Sequence, residues 1–122
     1  MATVLIVDDS AFIRSILDDV VLKKEMEFIE ATNVDDAVEF YKDEQPDLVL
    51  LDIILQNDGR NGIDVLKAIK EYDPNARIVI VTSIAGDEDM MAQCIEKGAI
   101  DYITKPFTKD KIAATIEDYI TE

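Results

Sequence analysis

Three aspartates, one lysine and a pair of hydroxyls stand at the ends of aliphatic runs in this chain. Val4-Leu5-Ile6-Val7 leads into Asp8-Asp9, Leu48-Val49-Leu50-Leu51 into Asp52, Ile78-Val79-Ile80-Val81 into Thr82-Ser83, and Tyr102-Ile103-Thr104 into Lys105-Pro106. A charge set beside an apolar core loses solvation worth several kcal/mol, so such groups are usually paired, metal-bound or functional. If Asp8, Asp9 and Asp52 meet, they repel: two like charges about 4 Å apart cost roughly 4 kcal/mol at an effective dielectric of about 20. Lys105 can offset one charge. A hard cation with oxygen ligands, Mg²⁺ or Mn²⁺, is the natural second, since Mg²⁺ takes one or two carboxylates, several waters and a phosphate. An acidic cation site with an ammonium and a hydroxyl suits phosphoryl transfer to a carboxylate. Asp52 stands alone after the most hydrophobic run and is the candidate nucleophile; the adjacent Asp8 and Asp9 suit metal holding.

Those residues meet only if the elements between them bring the run ends together. After Val7, the apolar Phe12, Ile13, Ile16, Leu17, Val20 and Val21 alternate with charged residues at helical spacing. Phe28 to Ala31 reads as a strand, and Val34, Ala37, Val38 and Tyr41 as a helix that Thr32 or Asn33 can cap and that Pro46 ends. A strand over residues 47–52 is followed by a polar loop, Gln56 to Asn61, with Gly59 and Gly62 as turn residues. Ile63, Leu66 and Ile69 mark a third helix, closed by Asp73-Pro74-Asn75. A strand over residues 77–82 precedes a helix opened by Asp87-Glu88-Asp89, with Met91, Cys94 and Ile95 as its buried side and Gly98 as its C-terminal cap. A strand over residues 99–104 and a helix carrying Ile112, Ile116, Tyr119 and Ile120, capped by Thr108, complete the pattern. Five strands alternating with five helices predict a parallel sheet covered on both faces. Ligands of such sheets bind at the carboxyl ends of the strands, where each polar residue that ends an aliphatic run lies.

Composition restricts the partners. The 122 residues suffice for one core but not for two domains, and 48% of them are hydrophobic, which argues against disorder despite a net charge of −15. The acidity disfavours nucleic acid and anionic membranes and favours cations and basic protein surfaces. Cys94 is the single cysteine and there is no histidine, so an intramolecular disulfide and His-ligated zinc or copper sites are excluded. With no basic, apolar leader after Met1 and no run of membrane-spanning length, the expected setting is the cytoplasm.

The quoted runs, together with Gly98-Ala99-Ile100-Asp101-Tyr102-Ile103-Thr104-Lys105-Pro106-Phe107, closely resemble the receiver domain of two-component response regulators, over the whole chain. The resemblance implies a flavodoxin-like α/β fold, a (βα)5 three-layer sandwich with strand order 2-1-3-4-5, forming one receiver domain over residues 1–122 with no output domain in this chain. It implies that Asp52 accepts a phosphoryl group from a sensor histidine kinase or phosphotransfer protein. Asp8, Asp9 and Asp52 hold Mg²⁺ with the backbone carbonyl of Ile54, and Lys105 pairs with the phosphoryl group. Thr82 and Tyr102 form the switch, the Lys105-Pro106 bond is cis, and an unknown output protein reads the face of the fourth helix, fifth strand and fifth helix. The expected protein is a signalling switch rather than an enzyme, a monomer or a phosphorylation-dependent dimer.

The chain departs from the family in places. Leu55 and Gln56 stand where many receivers carry Met-Pro, Gly62 arrives about two residues late, and the stretch from Thr82 to Gly98 is longer than the family pattern by about one residue. Ile54 and Ile84 are aliphatic where the family flanks the path of the attacking water, so slow hydrolysis of the phosphoaspartate is expected. Taken singly the residues also have structural readings: Asp8, Asp9 or Ser10 can cap the first helix, Thr82 can be a strand-end hydroxyl, Lys105 a solvated charge and Tyr102 a half-buried strand aromatic. Among rivals, a dehalogenase-like phosphatase wants a second aspartate where Ile54 stands, and a flavodoxin-type carrier wants a Ser/Thr/Gly-rich loop where Asp8-Asp9-Ser10-Ala11 stands. A receiver acting as an unphosphorylated binding module would not need the intact acid set.

Overall fold

The computed structural model describes residues 2–55, 60–83 and 88–120. Strands β1 (Thr3–Val7), β2 (Glu27–Ala31), β3 (Leu48–Leu51), β4 (Ile78–Thr82) and β5 (Asp101–Thr104) alternate with helices α1 (Ala11–Lys23), α2 (Val34–Glu44), α3 (Gly62–Tyr72), α4 (Glu88–Glu96) and α5 (Lys109–Tyr119). The strands form one parallel sheet in the order β2-β1-β3-β4-β5. This is the flavodoxin-like order expected from the resemblance.

Alternation along the strands builds two cores. Leu5, Val7, Val49, Leu51, Ile78 and Ile80 pack against Ala37 and Tyr41 of α2, Val65, Leu66 and Ile69 of α3, and Cys94 of α4. Val4, Ile6, Leu48, Leu50, Val79, Val81 and Ile103 pack on the other face against Leu17, Val20 and Val21 of α1 and Ile112 and Ile116 of α5. Each fully buried aliphatic side chain contributes roughly 1.5–3 kcal/mol, so burial on both faces commits the central strands to the sheet interior. Local signals set the boundaries. Ser10, Asn33, Asn61 and Thr108 cap α1, α2, α3 and α5 through their side-chain oxygens, and Asn61 forms a reciprocal box with Asp64. Gly98, at φ 112°, ends the α4 turn in a conformation costly for any other residue.

Several expected positions shift. The aspartate-bounded strand shortens to Leu48–Leu51, because Asp47 turns its carboxylate onto the Thr3 N–H at 2.8 Å and Asp52 is already committed to the site beyond the strand. β4 begins at Ile78 rather than residue 77, and β2 begins one residue early at Glu27, whose N–H donates to the Ala2 carbonyl. β5 begins at Asp101 rather than residue 99, because the Ala99 N–H closes the turn after α4 by donating to the Cys94 carbonyl. Phe12, expected on the apolar stripe of α1, is 73% exposed, and Ile95, expected on the buried side of α4, is 46% exposed. Met90 and Cys94, four apart on one helix face, take the core side of α4 instead, and Met91 is only partly covered. Gln56, Gly59, Ile84 and Asp87 lie outside the described residues. No helix among the described residues is long and apolar enough to cross a membrane.

Candidate functional site

Register explains why residues far apart in sequence meet. Val7 is paired with Leu51, so Asp8 and Asp52 leave the sheet side by side, and the Asp52 N–H donates to the Val7 carbonyl at 2.9 Å. Thr82 is paired with Thr104 on the neighbouring strand, and the Lys105 N–H donates to the Thr82 carbonyl at 2.8 Å, carrying the lysine out at the same sheet edge. The Lys105-Pro106 peptide bond is cis.

Lys105 closes the cluster. Its Nζ stands 2.9 Å from Asp8 Oδ2 and 3.0 Å from Asp52 Oδ2, and both carboxylates are buried. Asp9 is exposed on the solvent side, and one carboxylate oxygen from each of Asp8, Asp9 and Asp52 falls within 4.8 Å of the others. Each inner carboxylate keeps one oxygen on a backbone donor: Asp8 Oδ1 accepts from the Ser10 N–H at 2.9 Å, and Asp52 Oδ1 from the Ile54 N–H at 3.1 Å. Thr82 is fully buried at the end of β4.

Burial pushes the Asp52 carboxyl above the ordinary range; Lys105 and the Ile54 N–H oppose this, and the charge of Asp8 adds to it. Burial alone would lower the Lys105 ammonium, but its bonds to Asp8 and Asp52 and their charges together outweigh that and hold it above its usual value. The two shifts are compatible because two carboxylates act on Lys105, whereas at Asp52 burial and the charge of Asp8 outweigh the one ammonium. A site with three carboxylates and one ammonium retains negative charge, and its oxygen-only donors suit a hard divalent cation. Asp8, Asp9 and Asp52 therefore fit such an ion in chemistry and in spacing.

Two other expected residues stand apart from this cluster. The Tyr102 side chain is 44% exposed and lines a cleft with Glu88, Met91 and Thr104 between α4 and β5. Ile54 reaches the site through its N–H, while its side chain is 44% exposed at the rim.

Two residues whose part in the site the sequence does not reveal support it from behind. A Cβ on Gly62 would stand 2.2 Å from the Asp52 carbonyl oxygen, so only glycine lets α3 begin this close to the Asp52 backbone. In the sequence Gly62 marks a turn and the end of a long loop; the signal for its role is a glycine at the start of a helix. Arg14, which reads as part of the solvated face of α1, instead donates from Nη1 to the Asp8 carbonyl at 2.8 Å and from Nε to Glu30 Oε2 at 2.6 Å.

Residues 4–117 match the response regulator receiver domain family. The chain is 44% identical over 119 residues to a chemotaxis protein CheY of Halobacterium salinarum, covering 97% of this chain and 96% of that protein. It is 38% identical over 117 residues to the sporulation initiation phosphotransferase F of Bacillus subtilis, covering 96% and 92%. Among solved structures, it resembles a CheX-CheY-BeF3-Mg²⁺ complex from Borrelia burgdorferi, with a TM-score of 0.89, 31% identity, and coverage of 99% of this chain and 90% of that one.

Proposed function

Because the chain belongs to the response regulator receiver domain family of two-component signalling, we propose that it is a phosphorylation-dependent switch, a receiver domain over residues 1–122 working in the cytoplasm. The observation that carries this reading is the Lys105 ammonium spanning Asp8 and Asp52 beside the exposed Asp9. A sensor histidine kinase or phosphotransfer protein presents a phosphoimidazole. An Asp52 oxygen attacks the phosphorus, a P–O bond forms as the P–N bond breaks, and the departing imidazole nitrogen takes the electron pair and a proton. Asp8, Asp9 and Asp52, with the Ile54 backbone carbonyl, hold Mg²⁺ or Mn²⁺, which when bound neutralises charge on the phosphoryl oxygens.

Lys105, freed from Asp52 as that carboxylate becomes an acyl phosphate, a mixed anhydride, turns its ammonium to the phosphoryl group. The added charge, roughly −1.5 to −2, draws the Thr82 hydroxyl inward, and the Tyr102 ring follows into the cleft beside α4. The face of α4, β5 and α5 then changes shape for an output protein. A shift of a few kcal/mol is enough to move such a two-state element. No turnover of a separate substrate is involved.

Incorporation of phosphate from acetyl phosphate with Mg²⁺ tests this reading: Asp52→Asn abolishes it, and retained labelling at another residue contradicts the assignment. The aliphatic Ile54 at the rim keeps the attacking water poorly oriented. Ile54→Asn shortens the phosphoaspartate lifetime, and an unchanged or longer one tells against this role.

A further inference from the structure

We infer that Arg14 is a positioning residue for the cation site, holding the Asp8 turn from behind, an inference that rests on the Mg²⁺ reading of that site. Asp8 is tied in four directions. Its N–H donates to the Ala31 carbonyl at 3.1 Å, Oδ1 accepts from the Ser10 N–H, Oδ2 accepts from Lys105, and its own carbonyl accepts from Arg14 Nη1 at 2.8 Å. The fourth tie differs from the others because the same guanidinium also grips β2 through Glu30. Arg14 therefore joins α1, the end of β1 and the edge strand in one planar fork, with a side chain only 17% exposed.

A second acid stands on the far side of the fork. Asp18, one turn further along α1, stands beside Glu30 with Oδ1 buried and without a hydrogen-bond partner among the described residues. Burial first, then the charge and hydrogen bond of Glu30, push its carboxyl up to about 6, against the opposing charge of Arg14. One guanidinium thus faces two carboxylates and a carbonyl, an arrangement that a lysine, with its single point of charge, cannot reproduce. Partners that fix the residue carrying a metal ligand set that ligand's orientation and commonly govern affinity about 10- to 100-fold.

A role through charge alone has the opposite signature. Removing a cation near three carboxylates should tighten a divalent ion, whereas removing a prop from one of its ligands should loosen it. The test is a Mg²⁺ titration of the whole chain, followed through the amide resonances of Ser10 and Ile54, for the unaltered protein, Arg14→Ala, Arg14→Lys and Glu30→Gln. Arg14→Ala and Arg14→Lys should both weaken Mg²⁺ binding about 10-fold. Glu30→Gln should weaken it less, and saturating Mg²⁺ should restore the rate of phosphorylation by acetyl phosphate. Tighter binding by Arg14→Ala, or unchanged binding by Arg14→Lys, overturns the inference. Should the Arg14 variants lose their folded amide spectrum, Glu30→Gln decides alone, and unchanged affinity there overturns it equally. Absence of Mg²⁺ binding by the unaltered chain would instead defeat the reading of the site itself, and the inference with it.

Discussion

At the ends of β1 and β3, Asp8 and Asp52 are buried, each oxygen described has a donor, and Gly62 leaves no room for even a methyl group behind Asp52. Two strands away from β3, beside β5, Ile95, Ile100 and Tyr102 stand 46%, 37% and 44% exposed, and Tyr102 lines an open cleft with Glu88, Met91 and Thr104. The first region concentrates charge in a fixed frame; the second presents apolar surface with little to hold it. That division fits a switch. Chemistry needs carboxylates that cannot relax away from one another, and a readout needs side chains whose rearrangement disturbs no core.

The sharpest way to break this contrast is to remove the charge that makes the fixed region tolerable. Lys105→Met leaves Asp8 and Asp52 buried and facing each other, and should lower stability at neutral pH by about 3–5 kcal/mol. Urea unfolding measures the loss, and Mg²⁺ should recover part of it by binding the folded state. Equal stability with and without the lysine would mean the frame does not depend on charge. The raised Lys105 value also has a sign: its stabilisation is complete below the ordinary lysine pKa of 10.5 and fades as pH climbs through the raised one.

Gly62→Ala probes the same frame by volume. Forcing a methyl group against the Asp52 carbonyl should cost about 1–3 kcal/mol in the same unfolding experiment, and a neutral result would show that α3 can move away from the site.

Asp18→Asn tests the support behind the frame. An acid whose folded pKa is raised from 3.8 to about 6 binds more protons when folded, so stability falls as pH rises through that window. After discounting for solvent screening, the asparagine variant should be more stable at neutral pH by on the order of 1 kcal/mol, and the pH dependence between those values should flatten. Unaltered pH dependence would remove Asp18 from the cluster.

On the open side, Tyr102→Ala should change stability by less than about 0.5 kcal/mol and leave phosphorylation by acetyl phosphate intact, while altering binding of an output protein. A loss as large as that from Gly62→Ala would erase the distinction between the two regions.

Most of this was legible in the sequence because strand ends are read by period and punctuation. Doubly buried aliphatic runs fixed the number of strands, and the polar residue following each run marked the sheet edge where Asp8, Asp9, Asp52 and Lys105 converge. Periodicity alone left the order of the strands open, and the family resemblance supplied it. What escaped was partner choice. Ile95 adjoins Cys94 in sequence, yet a helix turns 100° per residue and the core side passes to Met90. Arg14 looks like any solvated arginine on α1, because its value lies in a backbone carbonyl six residues earlier and a glutamate on another strand, neither of which leaves a periodic trace. Gly62 was visible only as a turn residue, since the close approach that requires it comes from tertiary packing.

The central claim is that Asp52 is the carboxylate that receives the phosphoryl group. Its most direct test is to treat the unaltered chain with acetyl phosphate and Mg²⁺, trap the acyl phosphate by borohydride reduction, and locate the reduced residue by peptide mass. Reduction at position 52 alone, dependent on Mg²⁺, is the predicted result; reduction at Asp8 or Asp9, or none at all in a folded, Mg²⁺-bound chain, would contradict it.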